Sequence, residues 1–176
     1  FVATNTAAAM ATLAWMFMSW VFQGRPSVLG AASGAVVGLV AITPAAGFVT
    51  PLAALIIGAG AGVFCFLAGR LRARVNLDDS LDVWACHGVG GTWGALATGV
   101  FATVAVNSHG ANGLFYGNPQ QLLSQLLAVA AVWVYSFVAT WVILKLLYGF
   151  MGLRLKAGEE VAGLDLSQHG EEAYRA

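Results

Sequence analysis

The sequence predicts an all-α membrane protein, and three observations support that class. Of the 176 residues, 59% are hydrophobic and only 9% are charged, whereas a soluble domain carries about 25% charged residues. The mean hydropathy of +0.78 gives the same indication. The apolar residues also fall into five runs, which a window of about 19 residues identifies as candidate membrane helices.

The first three predicted helices have clear sequence boundaries. The first covers residues 7–22 and ends before a polar segment that contains Pro26. The second covers residues 28–42, which is short for a bilayer, and it stops before Pro44 because proline disfavours helical geometry in the preceding residue. The third covers residues 51–70, and its first residue is a proline, which suits the first turn of a helix.

The last two predicted helices are longer. The fourth covers residues 79–106 and opens with Asp79 and Asp82, which have the spacing of an N-cap and an acid at the third helical position. We therefore expect these two acids to stabilise the helix start. The fifth covers residues 121–150, more than a perpendicular span needs, so it should tilt or project. Residues 1–152 form the predicted membrane domain, and residues 153–176 form a polar tail.

The positive charges predict the orientation of these helices. Under this assignment all eight Lys and Arg residues lie on one side of the membrane: Arg25, Arg70, Arg72, Arg74, Lys145, Arg154, Lys156 and Arg175. The positive-inside rule makes that side cytoplasmic. The amino-terminal end is therefore expected outside the cell membrane and the tail in the cytoplasm.

Several function classes find no support in the sequence. The formal net charge is zero, which excludes a basic nucleic-acid surface. Cys65 and Cys86 lie in apolar runs and form neither a disulfide framework nor a metal motif. No motif for catalysis or cofactor binding occurs, so we expect no enzyme, no cofactor and no metal. Because the chain starts at Phe1, without an initiator methionine, we expect it to be a fragment of a larger protein.

His87 is the leading candidate for a functional residue. It lies about two turns inside the fourth apolar run, where an ionisable group is costly enough to indicate function. At 100° per residue, the positions on its face are Ser80, Val83, Trp84, Gly91, Gly94 and Thr98. Little side-chain bulk follows the imidazole, so either another helix packs there or a narrow path runs beside the ring. We expect His87 to face a cavity on a transport path.

Four segments of the sequence resemble the ammonium transporters of the Amt/Mep/Rh family, and the Amt branch in particular. The two most specific are DDSLDVWACHGVGGTWG at residues 78–94 and GLDLSQHGEEAY at residues 163–174. The others are the glycine-rich stretch at residues 30–47 and the long last helix. The resemblance implies an eleven-helix fold of two inverted halves, a pattern common among transporters. The chain would supply the seventh to eleventh helices of one subunit of a homotrimer.

The same resemblance implies a function and a site. The chain would take part in nitrogen uptake by moving ammonium or ammonia across the lipid bilayer through a narrow apolar pore. His87 would be the second of two pore histidines, with Val83 lining the pore beside it. The first histidine and the outer recruitment site of the family would lie upstream of Phe1.

The tail would be regulatory by the same resemblance, although its composition alone also allows a disordered segment. Its candidate residues are Gly163, Asp165, Ser167, His169, Gly170 and Tyr174. A nitrogen-signalling protein of the PII class is a candidate partner on the cytoplasmic face. Two alternatives stay open: an ammonium sensor with the transporter fold, and an Rh-type channel for neutral ammonia. Considered without the resemblance, His109 and His169 are expected to be solvated.

Overall fold

The computed structural model describes residues 1–172, and every regular element in that range is helical. The chain forms two compact units, Phe1–Ala131 and Val132–Ala176. In chain order the α-helices are α1 (Val2–Gln23), α2 (Val28–Ile42), α3 (Pro51–Arg74), α4 (Gly90–Phe101), α5 (Pro119–Met151) and α6 (Ala157–Ala162). Two π-helical turns, Trp84–Val89 and Asp165–His169, and a 3₁₀ turn, Leu114–Tyr116, complete the set.

Local signals set the starts of α2 and α3. The Ser27 hydroxyl accepts a hydrogen bond from the backbone N–H of Gly30 at 2.9 Å. The Thr50 hydroxyl likewise accepts from the N–H of Ala53 at 3.3 Å, and proline occupies the first turn of α3. Each hydroxyl satisfies one of the N–H groups that a helix start leaves unpaired. The predicted starts of these two helices, residues 28 and 51, coincide with the observed ones.

Small residues form the contact between α1, α2 and α3. Ala7 and Ala11 of α1 are completely buried. A Cβ atom added to Gly38 of α2 would lie 2.7 Å from the backbone oxygen of Ala7 and 2.7 Å from the Cα of Ala8. Gly62 of α3 approaches the backbone of α1 in the same way. These glycines allow the helix backbones to touch, as expected of small residues at four-residue spacing.

Gly38→Ala is therefore expected to destabilise the purified protein by about 1–3 kcal/mol, because the new methyl group must push two backbones apart. Thermal unfolding in detergent measures the effect. Gly47→Ala is the matched control, since nothing lies within 4 Å of a Cβ at that position. Equal melting temperatures for the two variants would contradict the close-packing interpretation.

The fourth predicted helix is shorter than expected and begins differently. The prediction was residues 79–106, but the structure has the π-helical turn Trp84–Val89 followed by α4, which ends at Phe101. Ala102 adopts an extended conformation, with its carbonyl accepting from the N–H of Gly113 at 2.7 Å. The N–H of Thr103 donates to the carbonyl of Phe48 at 2.9 Å. These bonds to distant residues replace those that would continue the helix.

Two helices in the described part of the chain are long and apolar enough to cross a membrane, Pro51–Arg74 and Pro119–Met151. Val28–Ile42 is a shorter apolar helix. At 1.5 Å per residue its 15 residues span about 22 Å, less than the hydrocarbon core of a bilayer. The count of five membrane helices therefore stays a prediction.

Candidate functional site

His87 lies inside the π-helical turn Trp84–Val89. Such turns are rare, and they occur frequently at functional sites within α-helices. The turn leads directly into α4, whose first residue is Gly90. Hydrophobic periodicity does not distinguish a single π-helical turn from α-helix, so this turn could not be predicted from the sequence.

One side of this segment is open. His87 is exposed, and Val83 is 49% exposed. A Cβ atom at Gly91 would meet nothing within 4 Å. We refer to Val83, His87 and Gly91, which are spaced four residues apart, as the His87 strip. Their four-residue spacing places an imidazole between a small apolar residue and a residue without a side chain.

The predicted face extends further than the exposed strip, and α2 packs against its far end. Gly94 is buried, and its Cα faces the backbone of Ala41 on α2. Thr98 is only 5% exposed, and its hydroxyl donates to the carbonyl of Gly94 at 2.8 Å. The π-helical turn contains more residues per turn than the ideal 100° spacing assumes. It therefore rotates the residues of α4 relative to His87.

Trp93 fixes the other side of α4 against α3. Its indole N–H donates to the carbonyl of Ile57 at 2.9 Å. Its ring packs edge-on against Phe64 with a centroid distance of 4.9 Å, and a Cβ at Gly60 would collide with it. This role of Trp93 could not be predicted from the sequence, because its partner lies 36 positions away. With one side of the segment held in this way, His87 projects from the other.

Asp79 caps the π-helical turn from outside it. Its two carboxylate oxygens accept hydrogen bonds from the N–H groups of Val83, at 2.9 Å, and Trp84, at 2.8 Å. The bond from Trp84 is the main reason that the pKa of Asp79 is below its usual range. The predicted helix-start role is therefore present, but the predicted register is wrong: the helix starts after Val83, and Asp79 is not its N-cap.

Asp82 is not at the third helical position either. It adopts a left-handed conformation with φ of 53°, which interrupts any helix running from Asp79. Its carboxylate pairs with the guanidinium of Arg72 on α3 at 2.6 Å. The two acids thus act differently: Asp79 binds backbone N–H groups, and Asp82 binds a side chain of a neighbouring helix.

Asp79→Ala is expected to lower the melting temperature at neutral pH by exposing two unpaired N–H groups. Because the pKa of Asp79 is depressed in the folded protein, its stabilisation is present above its unfolded pKa of about 4 and is lost as the pH falls through the folded value. The gap between wild type and variant should therefore shrink below about pH 4. A gap that grew on acidification in thermal unfolding measurements would contradict this assignment.

The tail residues form their own hydrogen-bonded structure in the second unit. Gly163 has φ of +91°, and its carbonyl accepts from the hydroxyl of Ser167 at 2.7 Å and from the N–H of Ser167 at 3.0 Å. Gly170, with φ of +69°, ends the π-helical turn, and its N–H donates to the carbonyl of Asp165. His169 is exposed, as expected. Tyr174 lies outside the described residues.

An ion pair precedes this turn. The Arg154 guanidinium donates to both carboxylate oxygens of Glu160, at 2.8 and 3.2 Å. This hydrogen-bonded contact holds the pKa of Glu160 below its usual range. Among the described residues, no cluster of three or more His, Cys, Asp or Glu side chains could hold a metal ion.

Comparisons with known proteins place these features in context. Residues 1–174 match the family described as the Ammonium Transporter Family. The ammonium transporter of Bacillus subtilis strain 168 is 51% identical over 176 residues, covering 99% of this chain and 44% of that protein. The crystal structure of Saccharomyces cerevisiae Mep2 superposes with a TM-score of 0.84 at 36% identity, over 90% of this chain and 37% of that one. A sensor Amt protein superposes with a TM-score of 0.81 at 29% identity, over 95% of this chain and 40% of that one.

Proposed function

The chain belongs to the ammonium transporter family, and from that premise we propose that it lines part of an ammonium-conducting pore with the His87 strip. The observation that carries the proposal is the exposed His87 within a π-helical turn. The chain spans less than half the length of the relatives it matches, 44% of the Bacillus subtilis protein. The remaining pore groups would come from an upstream half.

Members of this family are membrane proteins, and the all-helical fold matches their solved structures. In the proposal, the seventh to eleventh membrane helices of the family correspond in order to α1, α2, α3, α4 and α5. The π-helical turn before α4 belongs to the same membrane helix as α4. The amino-terminal end lies outside and the tail in the cytoplasm. The position of all eight cations on one side of the predicted topology supports this orientation.

The chemistry of the His87 strip suits a small hydrogen-bonding solute. An ammonium ion that leaves water for an apolar pore loses its hydration at a cost of several kcal/mol. Neutral ammonia avoids most of that cost, and an imidazole can both donate to it and accept from it. An imidazole can also carry the released proton. Gly91, four residues after His87, has open space where a side chain would lie, which supports a path for the solute.

The tail is proposed to regulate this pore in a homotrimer. The hydrogen-bonded turn from Gly163 to Gly170 supports a defined docking segment. A PII-class protein on the cytoplasmic face is the proposed signalling partner. A sensor role is the second candidate function. The structural match to a sensor Amt protein is the observation that supports it. That match has 29% identity, against 51% for a transporter.

Uptake measurements test the proposed function. We define the full-length protein as the polypeptide in which this sequence is joined to its upstream half. Expressed in cells that lack their own ammonium transporters, it should restore growth on low ammonium and accumulate labelled methylammonium. Membrane-inserted protein that does neither would refute transport. Ammonium-dependent signalling without uptake would establish the sensor alternative.

A further inference from the structure

Arg72, in the last turn of α3, connects that helix to the loop before the π-helical turn. Its guanidinium Nε lies 2.6 Å from the carboxylate of Asp82. Its Nη1 also donates to the carbonyl of Leu77 at 3.3 Å. One side chain therefore holds the loop at two points, as the planar fork of five donors in arginine allows.

The loop residue that Arg72 holds also controls the backbone of the turn. Asp82 has φ of 53°, a conformation that costs free energy for residues other than glycine, although aspartate and asparagine tolerate it best. Its carbonyl accepts the N–H of Cys86, the residue before His87, at 2.8 Å. The direction in which His87 leaves the backbone thus depends on the conformation of Asp82.

The helix at the other end of this connection is fixed. α3 packs on the backbone of α1 through Gly58 and Gly62, and the indole of Trp93 bonds to its backbone. A rigid element that holds a strained residue is the arrangement by which proteins keep such conformations at functional sites. The contacts form a continuous path from α3 through Arg72 and Asp82 to the backbone at Cys86.

We propose that Arg72 is a positioning residue for the pore: its ion pair with Asp82 sets the orientation of the His87 imidazole, and thereby the selectivity for ammonium. This inference rests on the proposed function. The two side chains are 23% and 42% exposed, so solvent limits what the pair adds to overall stability, although its contacting atoms, Arg72 Nε and Asp82 Oδ1, are buried. Its effect is on the geometry of the turn, where a displacement of about 1 Å is enough to impair a positioned group.

The test compares selectivity with protein yield in the full-length protein. Arg72→Gln should reduce the ratio of methylammonium flux to potassium flux about tenfold at near-normal yield. Arg72→Lys should restore part of that ratio, because a lysine can pair with Asp82 but lacks the fork that also reaches Leu77. Arg74→Gln is the matched control on the same exposed turn and should behave as wild type.

Asp82→Asn breaks the same pair from the other side while keeping a residue that tolerates positive φ. It should reproduce the selectivity loss, and the double variant with Arg72→Gln should be no worse than either single variant. A ratio unchanged by both single variants, while wild type transports, would overturn the inference alone. Absence of uptake by wild type would instead overturn the proposed function, and the inference with it.

Discussion

Replacing His87 with alanine in the full-length protein is expected to abolish selective ammonium transport while leaving yield and membrane insertion nearly unchanged. His87 is exposed on the His87 strip, so its removal leaves no buried cavity within this chain. The helix that carries it stays anchored by Trp93 and by the capping carboxylate of Asp79. What is lost is the group proposed to exchange hydrogen bonds and a proton with the solute.

The expected decrease in methylammonium flux is about a hundredfold, the lower end of what a positioned proton-transfer group contributes. Flux should be measured in proteoliposomes and normalised to the amount of inserted protein. His109→Ala provides the control, since that histidine is exposed in a loop after α4. If His87→Ala transported with wild-type selectivity at normal yield, the pore role of His87 would be wrong.

Ser167→Asp is expected to give a protein that assembles normally and transports poorly. The Ser167 hydroxyl is half-buried and donates to the carbonyl of Gly163 at 2.7 Å. A carboxylate there would place an acceptor against an acceptor, two residues from the negative charge of Asp165. The tight turn at Gly163 should loosen, which disrupts the proposed coupling of the tail to the pore and leaves folding of the first unit intact.

We expect transport to fall several-fold, with assembly of the proposed trimer in detergent unchanged. Gln168→Glu adds the same charge at the neighbouring exposed position and should have little effect. Ser167→Ala removes the hydroxyl donor without adding charge, so its transport rate should lie between those of Ser167→Asp and Gln168→Glu. Deletion of residues 163–176 with unchanged uptake in both nitrogen-poor and nitrogen-rich cells would refute regulation by the tail.

The parts of the fold that sequence predicted well are those fixed by neighbouring residues. Ser27 and Thr50 cap helices that begin one residue later, and Pro51 occupies a first turn. Gly38 and Gly62, each four residues from another glycine, pack against the backbone of α1, as small residues at that spacing do. The start of the fourth helix was predicted five residues too early, because Asp82 has a positive φ and pairs with Arg72 of α3, and neither feature can be read from the neighbouring sequence.

In the candidate site, too, local features could be predicted from the sequence and long-range contacts could not. His87 could be identified as an ionisable residue in an apolar run, since the cost of such a group there needs no knowledge of its neighbours. Its predicted depth of about two turns is wrong, because the helical turn begins only at Trp84. The residues that hold its helix could not be identified. Trp93 bonds to a carbonyl 36 positions away, and Arg72 reaches a residue ten positions further along a loop without regular structure. Such contacts exist only once the helices have packed.

The contact of α1 with its neighbours through alanine and glycine has a consequence for how this protein tolerates sequence change. A core of leucine and phenylalanine fails mainly when side chains become smaller, since voids cost contact energy. Here the side chains of Ala7, Ala11 and Gly38 are already minimal, so little volume can be lost. A larger side chain at any of them would clash with a neighbouring helix. Substitutions by larger residues at these positions should therefore destabilise the protein, whereas substitutions by smaller residues should cost little.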